Sequence, residues 1–405
     1  MRRVVITGMG VVSPVGTGKE KFWNALINGK DGVQKCKKLD TTPYRTHMAG
    51  EVDDFEVEKY IDIKRLKYPT LTTQYALAAV KMALDDAGLE IREDNKIGII
   101  LGASMADTKA TGDGVMHWFK TSNRYSTTPS KIYENLHANM HALRVAEYFG
   151  FKLCATTLPA ACAVGNTAIA YAFDLIRSGS GEAVFAGGHD LVNAFVYGGF
   201  NKIKSMAPDC CRPFDKNRKG LIVGEGAGVM LLEDMGFALK RKARIYGEVL
   251  GYGLTADGYS AAIPHPHGEG LIQATKLALN MAGVHPRDVG YINAHGTATI
   301  QNDRIEARAI HAVYGKKVWV SSIKSMMGHC MGAASALEAC ASALVVERGI
   351  IPANINYTHP DPECDIKILA NTAIKKNVDI VVSNSLAFGG NNAVIVLAKF
   401  RKKRV

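Results

Sequence analysis

Ala79-Val80-Lys81-Met82-Ala83-Leu84-Asp85-Asp86-Ala87-Gly88-Leu89 returns in altered form as Ala274-Thr275-Lys276-Leu277-Ala278-Leu279-Asn280-Met281-Ala282-Gly283-Val284. Both stretches have the composition of a helix and both reach a glycine, a common helix stop. Each is followed within a few residues by a short apolar strand, at 98–101 and 289–293. A second echo runs in the same order. Cys162 lies three residues before Gly165, and His329 three before Gly332. Each of these glycines opens an alanine-rich helix, over 166–177 and 333–348. Two echoes in one order argue for duplicated α/β halves with a seam near residue 250. The expected division is 1–250, carrying the cysteine, and 251–405, carrying the histidines. Cys162 and His329 then occupy equivalent points, where loops enter helix N-termini, and meet in one shared crevice.

The bulk properties fit that picture and exclude several others. A chain of 405 residues with 47% hydrophobic content is ample for a large core. No run of about 18 apolar residues occurs, so no membrane span is expected. Met1-Arg2-Arg3-Val4-Val5-Ile6-Thr7-Gly8 runs straight into a strand and lacks the apolar core of a signal peptide. The eight cysteines form no CxxC pair, so reduced thiols, a cytoplasmic location and no metal are expected. The net charge of +11 is spread along the chain apart from a basic tail at Lys399, Arg401, Lys402, Lys403 and Arg404. Scattered charge argues against nucleic acid and suits an acidic protein partner. Gly8-Met9-Gly10 follows the first strand, but Ser13 stands where a dinucleotide fingerprint needs its third glycine, and Pro14 follows. A strand and turn is the expectation there, against a nicotinamide oxidoreductase.

Four segments carry chemistry. Cys162 sits in Leu158-Pro159-Ala160-Ala161-Cys162-Ala163-Val164-Gly165, among small neighbours that let a substrate approach. A helix N-terminus beside the sulfur is expected to favour the thiolate. Asn293-Ala294-His295-Gly296-Thr297-Ala298-Thr299 ends an apolar strand in a histidine followed by hydroxyl residues. Lys324-Ser325-Met326-Met327-Gly328-His329 places a lysine five residues before a histidine. A buried lysine needs an acidic partner, and Glu338 lies on the apolar helix that follows. Leu386-Ala387-Phe388-Gly389-Gly390-Asn391-Asn392 has the double glycine of a turn able to aim N–H groups at an oxyanion. Singly, each also fits a bland reading: a structural cysteine, a core histidine, a hairpin turn.

In order and spacing, these segments resemble the active-site segments of the β-ketoacyl-acyl-carrier-protein synthases. Cys211-Arg212-Pro213-Phe214-Asp215 and Gly224-Glu225-Gly226-Ala227-Gly228 extend the resemblance over nearly the whole chain. It is nearest to the elongating type II branch. The resemblance implies a thiolase-like α/β fold, two βαβαβ halves in a five-layered αβαβα sandwich. It implies Cys162 as the nucleophile, His295 and His329 as catalytic donors, and Lys324 with Glu338 holding His329 and the local charge balance. It further implies that Asp303 and Glu306 support the site, that Phe388 supplies an oxyanion N–H and the gate, and that Thr297 and Thr299 bind the phosphopantetheine arm of an acyl carrier protein docked on Lys64, Arg65, Lys67 and Lys204. No cofactor of the enzyme's own is implied. The partner subunit that the resemblance implies is a second copy or a chain-length-factor-like chain.

Neighbouring classes are separated by single residues. Thiolases use a second cysteine near the C-terminus, absent from the 384–392 loop. Initiating synthases carry Asn where this chain has His329, and chain-length factors lack the nucleophile, which weighs against a non-catalytic partner subunit. Three departures leave pathway and chain length open: Ala160 for a usual Thr, Leu386-Ala387 for a usual Phe-Gly, and a loose match over 116–158. They favour a type II polyketide or secondary-lipid enzyme over the housekeeping fatty-acid synthase.

Overall fold

A computed structural model describes residues 2–67, 69–104, 108–121, 137 and 139–402. The first repeat runs β1 (Val4–Val12), α1 (Leu71–Ala87), β2 (Ile97–Gly102), β3 (Ala155–Leu158), α2 (Val164–Arg177), β4 (Ala183–Asp190), α3 (Ala194–Lys202) and β5 (Gly226–Asp234). The second runs β6 (Gly247–Ala256), α4 (Glu269–Ala282), β7 (Tyr291–Asn293), α5 (Ile300–Tyr314), β8 (Trp319–Ser321), α6 (Ala334–Arg348), β9 (Lys367–Ile368), β10 (Ile380–Leu386) and β11 (Asn391–Ala398). The expected seam at residue 250 falls inside β6, whose first residue is Gly247.

Strand order makes the duplication explicit. The first half reads β3-β2-β4-β5-β1 and the second β8-β7-β10-β11-β6, with β9 added outside β8. Numbered within each half, both are 3-2-4-5-1. In both, the third, second, fourth and first strands run parallel and the fifth runs antiparallel to them. The halves join edge to edge, antiparallel, through Val4–Val249, Val5–Glu248 and Ile6–Gly247.

The helices stack in layers. α1 covers the outer face of the first half on β1 and β5, and α4 covers the second on β6 and β11. α2 and α6 lie between the halves, with α6 packed on both β5 and β10. That placement explains its sequence: every residue from Ala334 to Val346 is buried, and a helix apolar on all sides belongs in a core. Gly165 allows the two inner helices to touch, since a Cβ there would lie 2.5 Å from the Ala336 nitrogen.

The echo that marks the duplication has a packing cause. A Cβ on Gly10 would lie 1.8 Å from the Ala79 carbonyl oxygen, and one on Gly8 2.1 Å from that of Ala83. In the second half, Gly253 meets the Ala274 carbonyl at 1.9 Å and Gly251 that of Ala278 at 3.0 Å. Each half therefore seats an alanine face of its outer helix on a Gly-x-Gly strand, where glycine marks a close backbone approach. This also corrects the reading of Gly8-Met9-Gly10 as the end of a strand. β1 continues through it to Val12, and the glycines serve the helix contact. Gly10→Ala is expected to cost about 3 kcal/mol, because backbone must move to admit the methyl group. Urea unfolding at constant m-value is the measurement; a loss below about 0.5 kcal/mol would show that α1 is not seated tightly.

Candidate active site

Cys162 and His329 stand at matching strand-to-helix loops of the two halves. The residues entering each turn carry the same unusual backbone. Ala161 (φ 44°) opens the 3₁₀ turn Ala161–Ala163 ahead of α2, and Met331 (φ 50°) opens Met331–Ala333 ahead of α6. Positive φ costs energy for any residue with a side chain, and its recurrence marks a constrained geometry. Matching these turns puts Cys162 opposite Gly332. The loops correspond as expected, but His329 lies three residues earlier in its own loop than the equivalent of Cys162.

Cys162, His295 and His329 line one cavity of about 470 Å³, together with Thr297, Thr299, Lys204 and Phe388. The imidazoles of His295 and His329 are 5.4 Å apart, centroid to centroid, and nearly perpendicular. Each has its Nδ1 occupied from behind. The Met331 backbone N–H donates to His329 Nδ1 (3.0 Å), and Lys324 Nζ lies 3.2 Å from His295 Nδ1. A nitrogen that accepts there leaves the proton on Nε2. Burial, and then Lys324, push both imidazoles well below their ordinary range, so both are neutral near pH 7. The pair is therefore two Nε2–H donors that carry no charge of their own.

Lys324 is fully buried, and its ammonium meets three acceptors, the Glu338 carboxylate, the His295 carbonyl at 2.7 Å and His295 Nδ1, so its hydrogen bonds hold His295 rather than the expected His329. Burial raises Glu338 to about 7 despite that partner. Glu306 holds the other side of the histidine loop. Its oxygens accept from the His295 N–H (2.8 Å) and the Gly296 N–H (2.7 Å). Asp303 accepts from Phe214 N–H (2.7 Å) and Ala298 N–H (3.2 Å). Phe214 in turn lies beneath Gly296, where a Cβ would come within 2.9 Å of its ring. The Thr297 and Thr299 hydroxyls are 2.9 Å apart on the cavity wall.

The two further motifs act as scaffolding. The His329 N–H donates to the Ile222 carbonyl (2.7 Å), and the His329 carbonyl accepts from Gly224 (2.8 Å). Gly224 has no side chain because one would press on the Met327 carbonyl at 2.6 Å. Asp215 fastens 358–359, accepting from both backbone N–H groups at 2.7 Å.

Cys162 departs from expectation in its ionisation. It is buried, and burial pushes its thiol up to about 12, with Asp190 and Glu338 adding to the rise and Lys324 opposing it. Desolvation outweighs the helix N-terminus, so the resting group is the thiol. The alkylation rate of Cys162 by iodoacetamide, read by peptide mass, is accordingly expected to climb about tenfold per pH unit from pH 7 to 9. A plateau below pH 8 would show a thiolate stabilised at rest.

Phe388 is 40% exposed at the mouth, its ring 5.8 Å from that of Phe200. Ala387 is extended (φ −144°, ψ 157°), a conformation any residue adopts, so alanine fits this arrangement without strain. Gly389 (φ 82°) and Gly390 (φ 77°) supply the positive φ the turn needs. Lys64, Arg65 and Lys67 lie outside the cavity, exposed on the segment before α1, with Arg65 over the Tyr148 ring at 4.5 Å. Of the four residues expected to receive a carrier, Lys204 alone lines the cavity. Much of the 116–158 stretch (122–136 and 138), and Lys403 and Arg404 of the tail, lie outside the described residues.

Several supporting residues were not legible. Asp190 joins the two halves by accepting from Ser104 N–H (2.9 Å) and Gly332 N–H (2.7 Å). Asn166 ties α2 to the Ser335 hydroxyl (3.2 Å) and the Ser383 carbonyl (3.3 Å). Buried Arg218 pairs with Asp361 and reaches Asp303 at 3.9 Å. Each partner lies more than eighty residues away in sequence, and no local pattern announces it.

A duplicated αβαβα sandwich with a cysteine and two donor histidines at its central crevice defines the thiolase-like condensing enzymes. Residues 1–238 match the N-terminal domain and 246–358 the C-terminal domain of the β-ketoacyl synthases. This chain belongs to the β-ketoacyl synthase family, whose members are acyltransferases. It is 36% identical to 3-oxoacyl-[acyl-carrier-protein] synthase 2 of Staphylococcus aureus (strain COL), over 98% of this chain and 99% of that one. The ishigamide ketosynthase/chain length factor structure superposes with a TM-score of 0.94 at 38% identity, covering 99% of this chain and 100% of that one. A type II polyketide synthase ketosynthase solved with its acyl-carrier protein and bound to the hexaketide (AntDE:AntF) gives 0.91 at 29%, with coverage of 99% and 100%. Among the described residues, no helix is long and apolar enough to cross a membrane.

Proposed function

We propose that this protein is an elongating β-ketoacyl-acyl-carrier-protein synthase that joins a malonyl-derived two-carbon unit to an acyl chain held on Cys162. The observation that carries this reading is the pair of neutral Nε2–H donors lining one cavity with a buried cysteine. The Cys162 sulfur attacks the acyl thioester, the S–H proton leaves with the departing arm thiol, and the chain becomes an enzyme thioester. The oxyanion of that step meets the backbone N–H groups of Cys162 and Phe388. Malonyl thioester then enters with its carbonyl oxygen between His295 and His329. Loss of carbon dioxide leaves an enolate whose charge the two donors receive in a dry site. Its α-carbon attacks the acyl carbonyl, the bond to sulfur breaks, and the β-ketoacyl product leaves on the incoming arm.

Lys324, Glu338, Glu306 and Asp303 position rather than touch substrate. Thr297 and Thr299 hold the arm, and Lys64, Arg65, Lys67 and Lys204 receive an acidic carrier. The chemistry calls for no metal, nucleotide or flavin, since the substrate carries its own activation. The site acts in the cytoplasm, and the similarity to the ishigamide and AntDE:AntF structures supports a type II polyketide setting with a chain-length-factor-like partner.

The test is intact-mass analysis of the protein after incubation with a panel of acyl-carrier proteins, alone and with a co-purified partner chain. Gain of one acyl group is expected, and the preferred group identifies the pathway. No gain with any donor would sink the reading and promote a non-catalytic subunit.

A further inference from the structure

Among the described residues, the mouth of the cavity carries positive charge and no negative charge: Lys204 and Lys219 line it, and no described aspartate or glutamate does. Both lysines are exposed, and among the described residues neither forms an ion pair, whereas Lys19, Lys38 and Lys324 all do. Lys219 has no counterpart in the motifs read from the sequence.

The backbone holds these lysines beside the threonine pair. The Leu221 N–H donates to the Ser205 carbonyl (2.8 Å), which draws the two lysine-bearing segments together. The approach is close: a Cβ on Gly220 would lie 2.2 Å from the Ser205 oxygen. The Gly220 N–H donates to the Ala298 carbonyl (3.0 Å), the residue between Thr297 and Thr299. Lys219 is therefore one residue from a peptide bonded to the arm-binding wall. Two ammonium groups with no ion-pair partner among the described residues, at an entrance where no described carboxylate competes, form a receptor for a compact anion.

We propose that Lys204 and Lys219 grip the phosphate at the outer end of the phosphopantetheine arm, and so set how deep the thioester reaches toward Cys162. This rests on the reading that an arm-borne acyl group enters this cavity. It separates the anchoring of the arm from the docking of the carrier, since the phosphate is present on coenzyme A as well as on a carrier protein. Lys204 thereby changes role, from a contact for carrier carboxylates to a contact for the arm itself.

Binding without turnover tests it. The wild-type chain and the Lys204→Ala/Lys219→Ala double variant are titrated with phosphopantetheine and with pantetheine by ligand-observed NMR. In the wild type the phosphate is expected to tighten Kd about tenfold, an advantage that shrinks as salt is raised. In the double variant the two ligands should bind within about twofold of each other. Equal affinities in the wild type, or a phosphate advantage that survives in the double variant, would overturn the proposal. So would a double variant that loses affinity for the holo-carrier alone and not for phosphopantetheine, which would assign the lysines to carrier carboxylates. Comparing coenzyme A with holo-carrier in the same titration shows which donor the phosphate site serves. Because no condensation is read, failure of the enzymatic reading would appear separately, as absent acylation of Cys162.

Discussion

Cys162→Ala is expected to lower condensation by at least about 10⁴-fold, because removing a covalent nucleophile leaves only binding and charge stabilisation to act. No other sulfur can substitute for it: Cys162 is the one cysteine among the cavity-lining residues. The acyl adduct seen by intact mass should vanish in the same variant. Stability should change little, since the lost atom faces an open cavity rather than packed neighbours, and the melting temperature is the check. The two imidazoles keep their Nδ1 partners, Met331 N–H and Lys324, neither of which involves the cysteine. Turnover within tenfold of wild type, or an adduct that persists on another residue, would remove Cys162 from the mechanism.

Lys324→Met should damage stability and catalysis together, and the two effects are separable. Methionine matches the length of the lysine stem but leaves Glu338 buried and uncompensated, and deprives both the carbonyl and Nδ1 of His295 of a donor. Breaking a buried pair by removing one partner costs about 3–5 kcal/mol. Burial already raises Glu338 to about 7 with the lysine present, so in the variant it is expected to be protonated throughout the neutral range. Catalysis should fall about 100–1000-fold, the loss typical of one oxyanion donor, because nothing then fixes the proton on His295 Nε2. Adding Glu338→Gln separates the terms. The double variant should recover part of the stability by removing the cost of protonating a buried carboxylate, and none of the activity. Urea unfolding and steady-state kinetics on the single and double variants form the cycle. Activity returning together with stability would show that Lys324 acts through folding alone.

The sequence by itself determined the class of fold and the reacting groups. The repeated alanine helices were visible because each half solves the same problem, an outer helix seated on a Gly-x-Gly strand, and that solution constrains local composition. The reacting residues were visible because the chemistry demands particular side chains in short segments: a cysteine among small residues, a histidine ending a strand, a lysine five before a histidine. Glu338 was found for the same reason, as the lone acid on a helix with no other charge before its final turn.

Only the tertiary structure decided what depends on distant parts of the chain meeting. The histidine tautomers follow from Lys324 and the Met331 N–H lying behind the rings. The resting state of Cys162 follows from its burial in the crevice, which reversed the expectation drawn from its helix alone. Asp190, Asn166 and Arg218 bond across separations that leave no periodic trace, and Lys219 reads as an ordinary surface lysine until Gly220 is found bonded between the two threonines. A side chain's identity is written locally, whereas its charge, proton position and reach are set by neighbours that only folding supplies.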